Sequence, residues 1–350
     1  MNIRKTLAAF ALIAGGWGAV AAPAQAEDQV TFSFATWVPP GYPPLFAGLT
    51  PWMDSIAAES EGSIAFELYE GGALGKAKDH YDMAASGIAD ITWIVPGYTP
   101  GRFPILERVE LPFTFAASAA AAGAAAQAWY APFAAEEMAE VKLLLLHTNA
   151  FGTFHTKDLE IRRPGDISGR TVRPANAGIA KWVSALGGSS VPIPAPEATD
   201  ALSRGTVDAI SLQWDTLRDF GIDRAARTHT DGKFYTSFFA IVMNKAAWGR
   251  LSEAQRAVME HHMTPEWAGR VTAGWEEVDA RGIAALKAEA AAGKRRIVEL
   301  SDADRQAWRD TVAPLRAAWA SEVAERTGRD AAAIEAALQA SILSHGAGGN

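Results

Sequence analysis

The stretch from Gly169 to Ile210 constrains the fold more than any other part of the chain, because its punctuation alternates strand and helix. It opens with a Gly-led strand that ends at Arg173 and turns at Pro174, and a helix over AGIAKWVSAL then stops at Gly187-Gly188. A second strand, Ser190 to Ile193, leads into a helix from about Glu197 to Ser203 that Gly205 ends, and a third strand covers Val207 to Ile210. This β-α-β-α-β order predicts an α/β fold around a parallel sheet whose strand ends present side chains to a crevice. Arg173 stands at such an end, where a guanidinium can hold a carboxylate in bidentate geometry.

The first part of the chain repeats the pattern. A strand over Val30 to Ala35 delivers Thr36-Trp37 and the loop Val38-Pro39-Pro40-Gly41. A helix from about Pro43 to Ser60, a strand Ile64 to Leu68, a helix Ala77 to Ala85 and a strand Asp90 to Val95 follow. MAASGIADI (Met83 to Ile91) lies over ALSRGTVDA (Ala201 to Ala209), with Gly87 matching Gly205 and Asp90 matching Asp208. In both, a helix stops at a glycine able to take the left-handed C′ conformation. The paired aspartates read as strand starts in two lobes built alike, not as catalytic acids.

Between and after the repeats, an alanine-rich helix is expected at about Ala116 to Tyr130. A buried strand from Lys142 runs through His147 to Phe151, crossing between lobes, and Phe234 to Asn244 makes the return. Thr264-Pro265-Glu266 starts a helix that can run to Ala292, roughly 40 Å long and able to brace both lobes. A strand at Lys294 to Leu300 and closing helices complete the chain. These boundaries assign 27–150 and about 239–278 to one lobe, 151–238 and about 279–340 to the other, with the long helix at about 265–292 spanning both.

Met1 to Ala26 has a basic start (Arg4, Lys5), an apolar run and an Ala24-Gln25-Ala26 cleavage pattern, so it reads as a cleaved signal peptide for export to the periplasm. Without Arg4 and Lys5 the 32 basic residues fall to 30 against 40 acidic, a net charge of −10. That balance opposes nucleic acid or an anionic membrane surface as partner, and no later stretch could span a bilayer. The chain has no cysteine, which excludes disulfides, thiol catalysis and cysteine metal sites.

Motifs for enzyme chemistry are missing: there is no G-x-S-x-G, H-E-x-x-H, G-x-x-x-x-G-K-[ST] or strand-following G-x-G-x-x-G. His261-His262 are adjacent on an amphipathic helix and should face apart, so no shared metal is expected there. No cofactor is implied.

Six pieces carry a family likeness: GGALG (Gly71 to Gly75), SGIADI (Ser86 to Ile91), GYTPGRFPILERVELPF (Gly97 to Phe113), RRPGDISGRTVRPANAG (Arg162 to Gly178), LSRGTVDA (Leu202 to Ala209) and MNKAAWGRLSEAQRAVME (Met243 to Glu260). Taken in order over Glu27 to about Gly328, they resemble the extracytoplasmic solute-binding proteins of tripartite ATP-independent periplasmic (TRAP) transporters, the C4-dicarboxylate-binding, DctP-like type. The resemblance implies a two-lobe, type II-like periplasmic binding protein, each lobe a mainly parallel sheet flanked by helices. It implies a non-enzyme that closes over a small organic acid and delivers it to the small and large permease subunits.

Arg173 lies where that family places its carboxylate-clamping arginine. Many members carry a second basic residue at Phe154, so either a less charged acid binds or a protonated His155 supplies the second donor. The alternative is that Phe154 is core and His155 pairs with backbone. Gln213-Trp214 resembles a Glu-Trp pair of the branch that binds 2-oxo acids with a cation, but Gln removes the charge, so a metal is not expected. Gln213 can still donate its amide. Trp37, Trp93 and Tyr98 end first-lobe strands and are candidate walls. Val95 stands where the sialic acid branch has a carboxylate, and with Phe154 it favours a monocarboxylate, an aromatic, 2-oxo or hydroxy acid. The rival readings are a binding module of an ABC importer or sensor, and a secreted hydrolase or isomerase using His155.

Overall fold

The computed structural model describes residues 28–348; the signal peptide read at 1–26 lies outside them. The strands are β1 Val30–Ala35, β2 Ile64–Tyr69, β3 Ile91–Ile94, β4 Val141–Thr156, β5 Thr171–Arg173, β6 Ser189–Ser190, β7 Ala209–Leu212, β8 Thr228–Asp231, β9 Tyr235–Asn244 and β10 Arg296–Glu299. They form one sheet in the order β2-β1-β3-β9-β4-β7-β5-β6, with β8 attached to β4 and β10 to β8.

This order is one plan used twice. In the first lobe β1 pairs in parallel with β2 and β3, and β9 closes the set antiparallel to β3. The second lobe has β5 parallel to β6 and β7, with β4 antiparallel to β7. The two closing strands pair with each other, so the lobes meet along β4 and β9. At 16 residues, β4 is roughly 50 Å long and belongs to both halves.

The sequence echo has a structural cause. Gly87 and Gly205 cap their helices at φ 78° and 75°, in the left-handed region that a side chain rarely tolerates. Asp90 then accepts the Ser33 amide at 3.0 Å, and Asp208 accepts the Thr171 amide at 2.8 Å. Each carboxylate ties the approach to β3 or β7 to the neighbouring middle strand, which fixes register.

The long helix runs Pro265–Ala291, with Thr264 Oγ1 accepting the Trp267 amide and Pro265 at its first position. It packs on the helix Ala119–Glu137, on β4 and on the π-helical turn Leu45–Leu49. A Cβ on Gly274 would stand 2.3 Å from the Ala47 carbonyl oxygen, so only glycine lets that turn seat against the helix.

Several boundaries move from those read in the sequence. β6 keeps only Ser189–Ser190 because Pro192 and Pro194 cannot donate to a ladder. β7 starts at Ala209, since the Thr206 and Val207 amides are spent on the Ala201 carbonyl in closing the preceding helix. The alanine-rich helix starts at Ala119, where Ser118 Oγ accepts the Ala121 amide, and it continues to Glu137.

Candidate functional site

A small cavity lies where the two lobes face each other, lined by Trp37, Tyr42, Trp93, Val95 and Tyr98 from the first and by Arg173, Ala175, Ala195, Leu212, Gln213, Thr216 and Phe220 from the second. Asn149 on β4 and Ser237 and Phe239 on β9 form its floor. Its volume is about 20 Å³, room for about one water, so anything larger requires the walls to part. A hollow of about 270 Å³, rimmed by Pro100, Pro174, Pro192 and Pro194, adjoins it across Tyr98 and Ala175.

Arg173 is the last residue of β5 and wholly buried. Its Nε donates to the Ile193 carbonyl at 2.8 Å, Nη1 to the Ser211 carbonyl at 3.2 Å and Nη2 to the Tyr98 hydroxyl at 3.3 Å. All three acceptors are neutral, and Arg173 makes no ion pair among the described residues. Five N–H groups less three bonds leaves two for a ligand. A buried cation without a counterion is costly, and the cost is relieved when an anion joins it.

Two buried carboxylates beside the cavity do little to offset that charge. The Asp215 amide donates to Asp279 Oδ1 at 2.9 Å, and the Tyr42 hydroxyl stands 3.5 Å from Asp215 Oδ2. Burial, and then the neighbouring Asp279, push the Asp215 carboxyl well up, while burial raises Asp279 to about 7. Near neutrality the pair therefore retains proton rather than carrying two full charges.

The opposite wall is aromatic. Trp37 stacks on Trp93 at 5.3 Å and 7°, with Phe220 on its other face at 6.3 Å and 13°. Trp93 stacks in turn on Phe239 at 4.5 Å. Its indole N–H donates to His147 Nε2 at 2.9 Å, and burial lowers the His147 pKa to about 3, so this ring stays a neutral acceptor. Two donors among the lining residues have no partner: Trp37 Nε1 and Gln213 Nε2. The cavity thus offers a guanidinium, an amide and an indole N–H, set between flat apolar faces.

Tyr98 joins the halves. Its hydroxyl accepts from Arg173 Nη2 and, at 3.1 Å, from the Ala195 amide, both across the seam.

Five of the sequence-nominated residues, Trp37, Trp93, Tyr98, Arg173 and Gln213, converge on the cavity; Phe154, His155 and Trp214 do not. Leu212 and Gln213, at and just past the end of β7, both turn inward, and Trp214, beyond the strand, turns to the opposite side. There Trp214 packs on His155 at 5.2 Å and His229 at 5.3 Å. Phe154 is core, set among Phe234, Trp308 and Trp182 at 5.6 to 6.0 Å. His155 is buried against His229, Nδ1 to Nδ1 at 2.9 Å. Burial first, and His229 second, hold its pKa well below 6.5. Burial thus disfavours the protonated form, and with Nε2 donating to the Leu212 carbonyl at 3.2 Å the ring follows the alternative in which it pairs with backbone.

Asn149, Ser237 and Phe220 escaped the sequence reading. The signal for the first two was weak: Asn149 ends the polar run His147-Thr148-Asn149 within buried β4, and Ser237 follows Thr236 in buried β9. Asn149 Oδ1 accepts the Ser237 amide at 3.1 Å across the β4–β9 pair. One further expectation is corrected. His261 and His262 do not face apart, because the helix ends at His261 and His262 is its cap, and their ring nitrogens come within 4.8 Å of each other and of Glu59.

Residues 34–322 match the model of bacterial extracellular solute-binding protein, family 7. A TRAP solute binding protein of Rhodoferax ferrireducens, solved with copurified benzoate, is 30% identical with a TM-score of 0.84 over 91% of this chain and 99% of that one. A marine metagenome TRAP solute binding protein specific for aromatic acid ligands, solved with 3-hydroxybenzoate, is 29% identical with a TM-score of 0.84 and the same coverage of both chains. One from Bordetella bronchiseptica with bound mandelate is 26% identical, with a TM-score of 0.82 over 90% and 99% of the two chains. With the duplicated lobes and the family match over nearly all the described residues, the chain belongs to the extracellular solute-binding proteins of family 7, the DctP-like binding proteins of TRAP transporters.

Proposed function

We propose that this protein captures a small aromatic monocarboxylate between its lobes in the periplasm and passes it, unchanged, to the small and large subunits of a TRAP permease. The observation that carries this is Arg173: a fully buried guanidinium with two N–H groups to spare and no counterion, facing stacked indoles. A carboxylate supplies the missing charge, and a flat ring slides between the faces of Trp37, Phe220 and Trp93, where exclusion of water strengthens the ionic contact. Gln213 Nε2 and Trp37 Nε1 are the donors left for a second carboxylate oxygen or a ring hydroxyl. The benzoate and 3-hydroxybenzoate held by two relatives are of this class.

A cavity this small admits such a ring only if the lobes part, so binding is coupled to a hinge motion about β4, β9 and the long helix. The ligand favours closure to the extent that it binds the closed form better. Export is supported by the leader read at 1–26, and among the described residues no helix is long and apolar enough to cross a membrane.

Calorimetry with benzoate, 3-hydroxybenzoate, succinate and glucuronate tests the reading. The aromatic acids are expected to bind tightest, and Arg173→Ala to cost about 2–5 kcal/mol of their affinity, roughly 30-fold or more. Absence of binding by every aromatic acid, or undiminished binding in Arg173→Ala, overturns it.

A further inference from the structure

We propose that Glu59, His261 and His262 form a second, surface site for a divalent transition-metal ion of the zinc type. The helices Thr50–Glu59 and Glu253–His261 both end here, so the partial negative charge of two C-termini falls on one spot. Glu59 Oε1 and Oε2 lie 2.9 and 2.8 Å from His261 Nδ1, and Glu59 Oε2 lies 3.9 Å from His262 Nε2. All three ligand atoms fall within 4.8 Å of one another. Two ligands of a tetrahedral zinc with bonds of about 2.1 Å stand about 3.4 Å apart, so the present spread needs only small shifts. The two residues that must shift are the exposed ones, His261 and Glu59.

The fixed member is His262, and its surroundings set it up as a ligand. Its Nδ1 donates to the Val258 carbonyl at 2.8 Å, which places the proton on Nδ1 and leaves the lone pair on Nε2. That is the arrangement by which metal-binding histidines are oriented and their tautomer chosen. The Nε2 lone pair accepts from Ser55 Oγ at 2.9 Å, a hydroxyl that an ion can displace or recruit as a fourth ligand. The ring stacks on Trp267 at 4.9 Å, and its own carbonyl accepts the Trp52 indole N–H at 2.9 Å, so neither ring nor backbone is free to turn away. Two imidazoles with one carboxylate select zinc and its first-row neighbours over calcium or magnesium. A bound ion clasps the end of one helix to the end of the other, and it stabilises the fold by mass action.

The test uses purified protein without an affinity tag, stripped with a chelator and titrated with zinc chloride by calorimetry, with cobalt(II) absorption as an independent readout. His261→Ala and Glu59→Gln alter exposed side chains, and circular dichroism checks that they fold. The expected result is one zinc per chain, tetrahedral-type cobalt bands, and affinity lowered at least tenfold in each variant. Absence of saturable zinc binding, or affinity within threefold of the parent in either variant, overturns the site.

Discussion

Replacing Glu110 with glutamine should make the protein more stable at neutral pH and leave it unchanged in acid. Glu110 ends the turn Leu106–Glu110 of the first lobe and is 1% exposed. A Cβ on Gly97 would stand 2.7 Å from both its carboxyl oxygens, and one on Gly178, in the second lobe, 2.8 Å from its carbonyl oxygen. The side chain therefore fills the seam between lobes, and neither carboxyl oxygen accepts a well-formed hydrogen bond, the nearby Gly97 amide being poorly aligned. Burial, with Glu107 adding to it, pushes the carboxyl well above 4.5, more than Lys181 and the Gly97 amide pull it back. In the unfolded chain the group ionises near 4.5. Native stability is thus fully present below that pH and declines as pH rises toward the folded-state value, by up to about 1.4 kcal/mol per unit. Glutamine has no such slope. Between about pH 5 and pH 7 the variant should gain on the parent by at most about 3 kcal/mol, roughly 4 °C in Tm for a chain of this size. Thermal melts of both proteins at several pH values measure this, and Asp215, Asp279 and Glu137, whose carboxyls are also raised, cancel in the difference. A difference that stays flat across the range would mean that Glu110 ionises alike in both states, and the reasoning would fail.

Tyr98→Phe removes the hydroxyl that accepts from Arg173 and Ala195 across the seam. Two hydrogen bonds at about 1 kcal/mol each, made across the seam of the closed form, predict benzoate affinity lowered by up to about 30-fold in calorimetry; an unchanged affinity would remove Tyr98 from the closing contacts. Phe154→Ala opens a hole among Trp182, Phe234 and Trp308 and should cost about 3–5 kcal/mol in urea unfolding. Because Phe154 does not line the cavity, benzoate affinity of the folded variant should match the parent; a large loss would place Phe154 back in the site.

The lobe plan was legible because its punctuation is chemical. Gly87 and Gly205 are needed where φ turns positive, and Asp90 and Asp208 follow at the same offset, so the repeat survives although few other residues match. Arg173 was legible for the same reason, standing at the end of a strand that a proline turn follows. What could not be read was facing. Gln213 and Trp214 lie just past the end of β7, where the ladder no longer dictates facing, so which of them turns to the cavity is set by the following loop. Facing was equally hidden for Phe154 and His155 on β4, whose sides depend on the register shift between Thr148 and Phe151. The cluster of Glu59 with two histidines was hidden by a rule that is true within helices and lapses at their ends, where His262 leaves the spiral.

The strand exchange at the centre of the sheet bears on how the chain acquires its shape. β3, complete by residue 94, finds its antiparallel neighbour only at Tyr235–Asn244, about 150 positions later in synthesis. An N-terminal fragment ending before that point has a sheet with a raw edge, which invites pairing with other chains. Assembly is therefore committed late, once two thirds of the polypeptide is available. That delay makes premature truncation more damaging here than in a fold whose halves are each continuous.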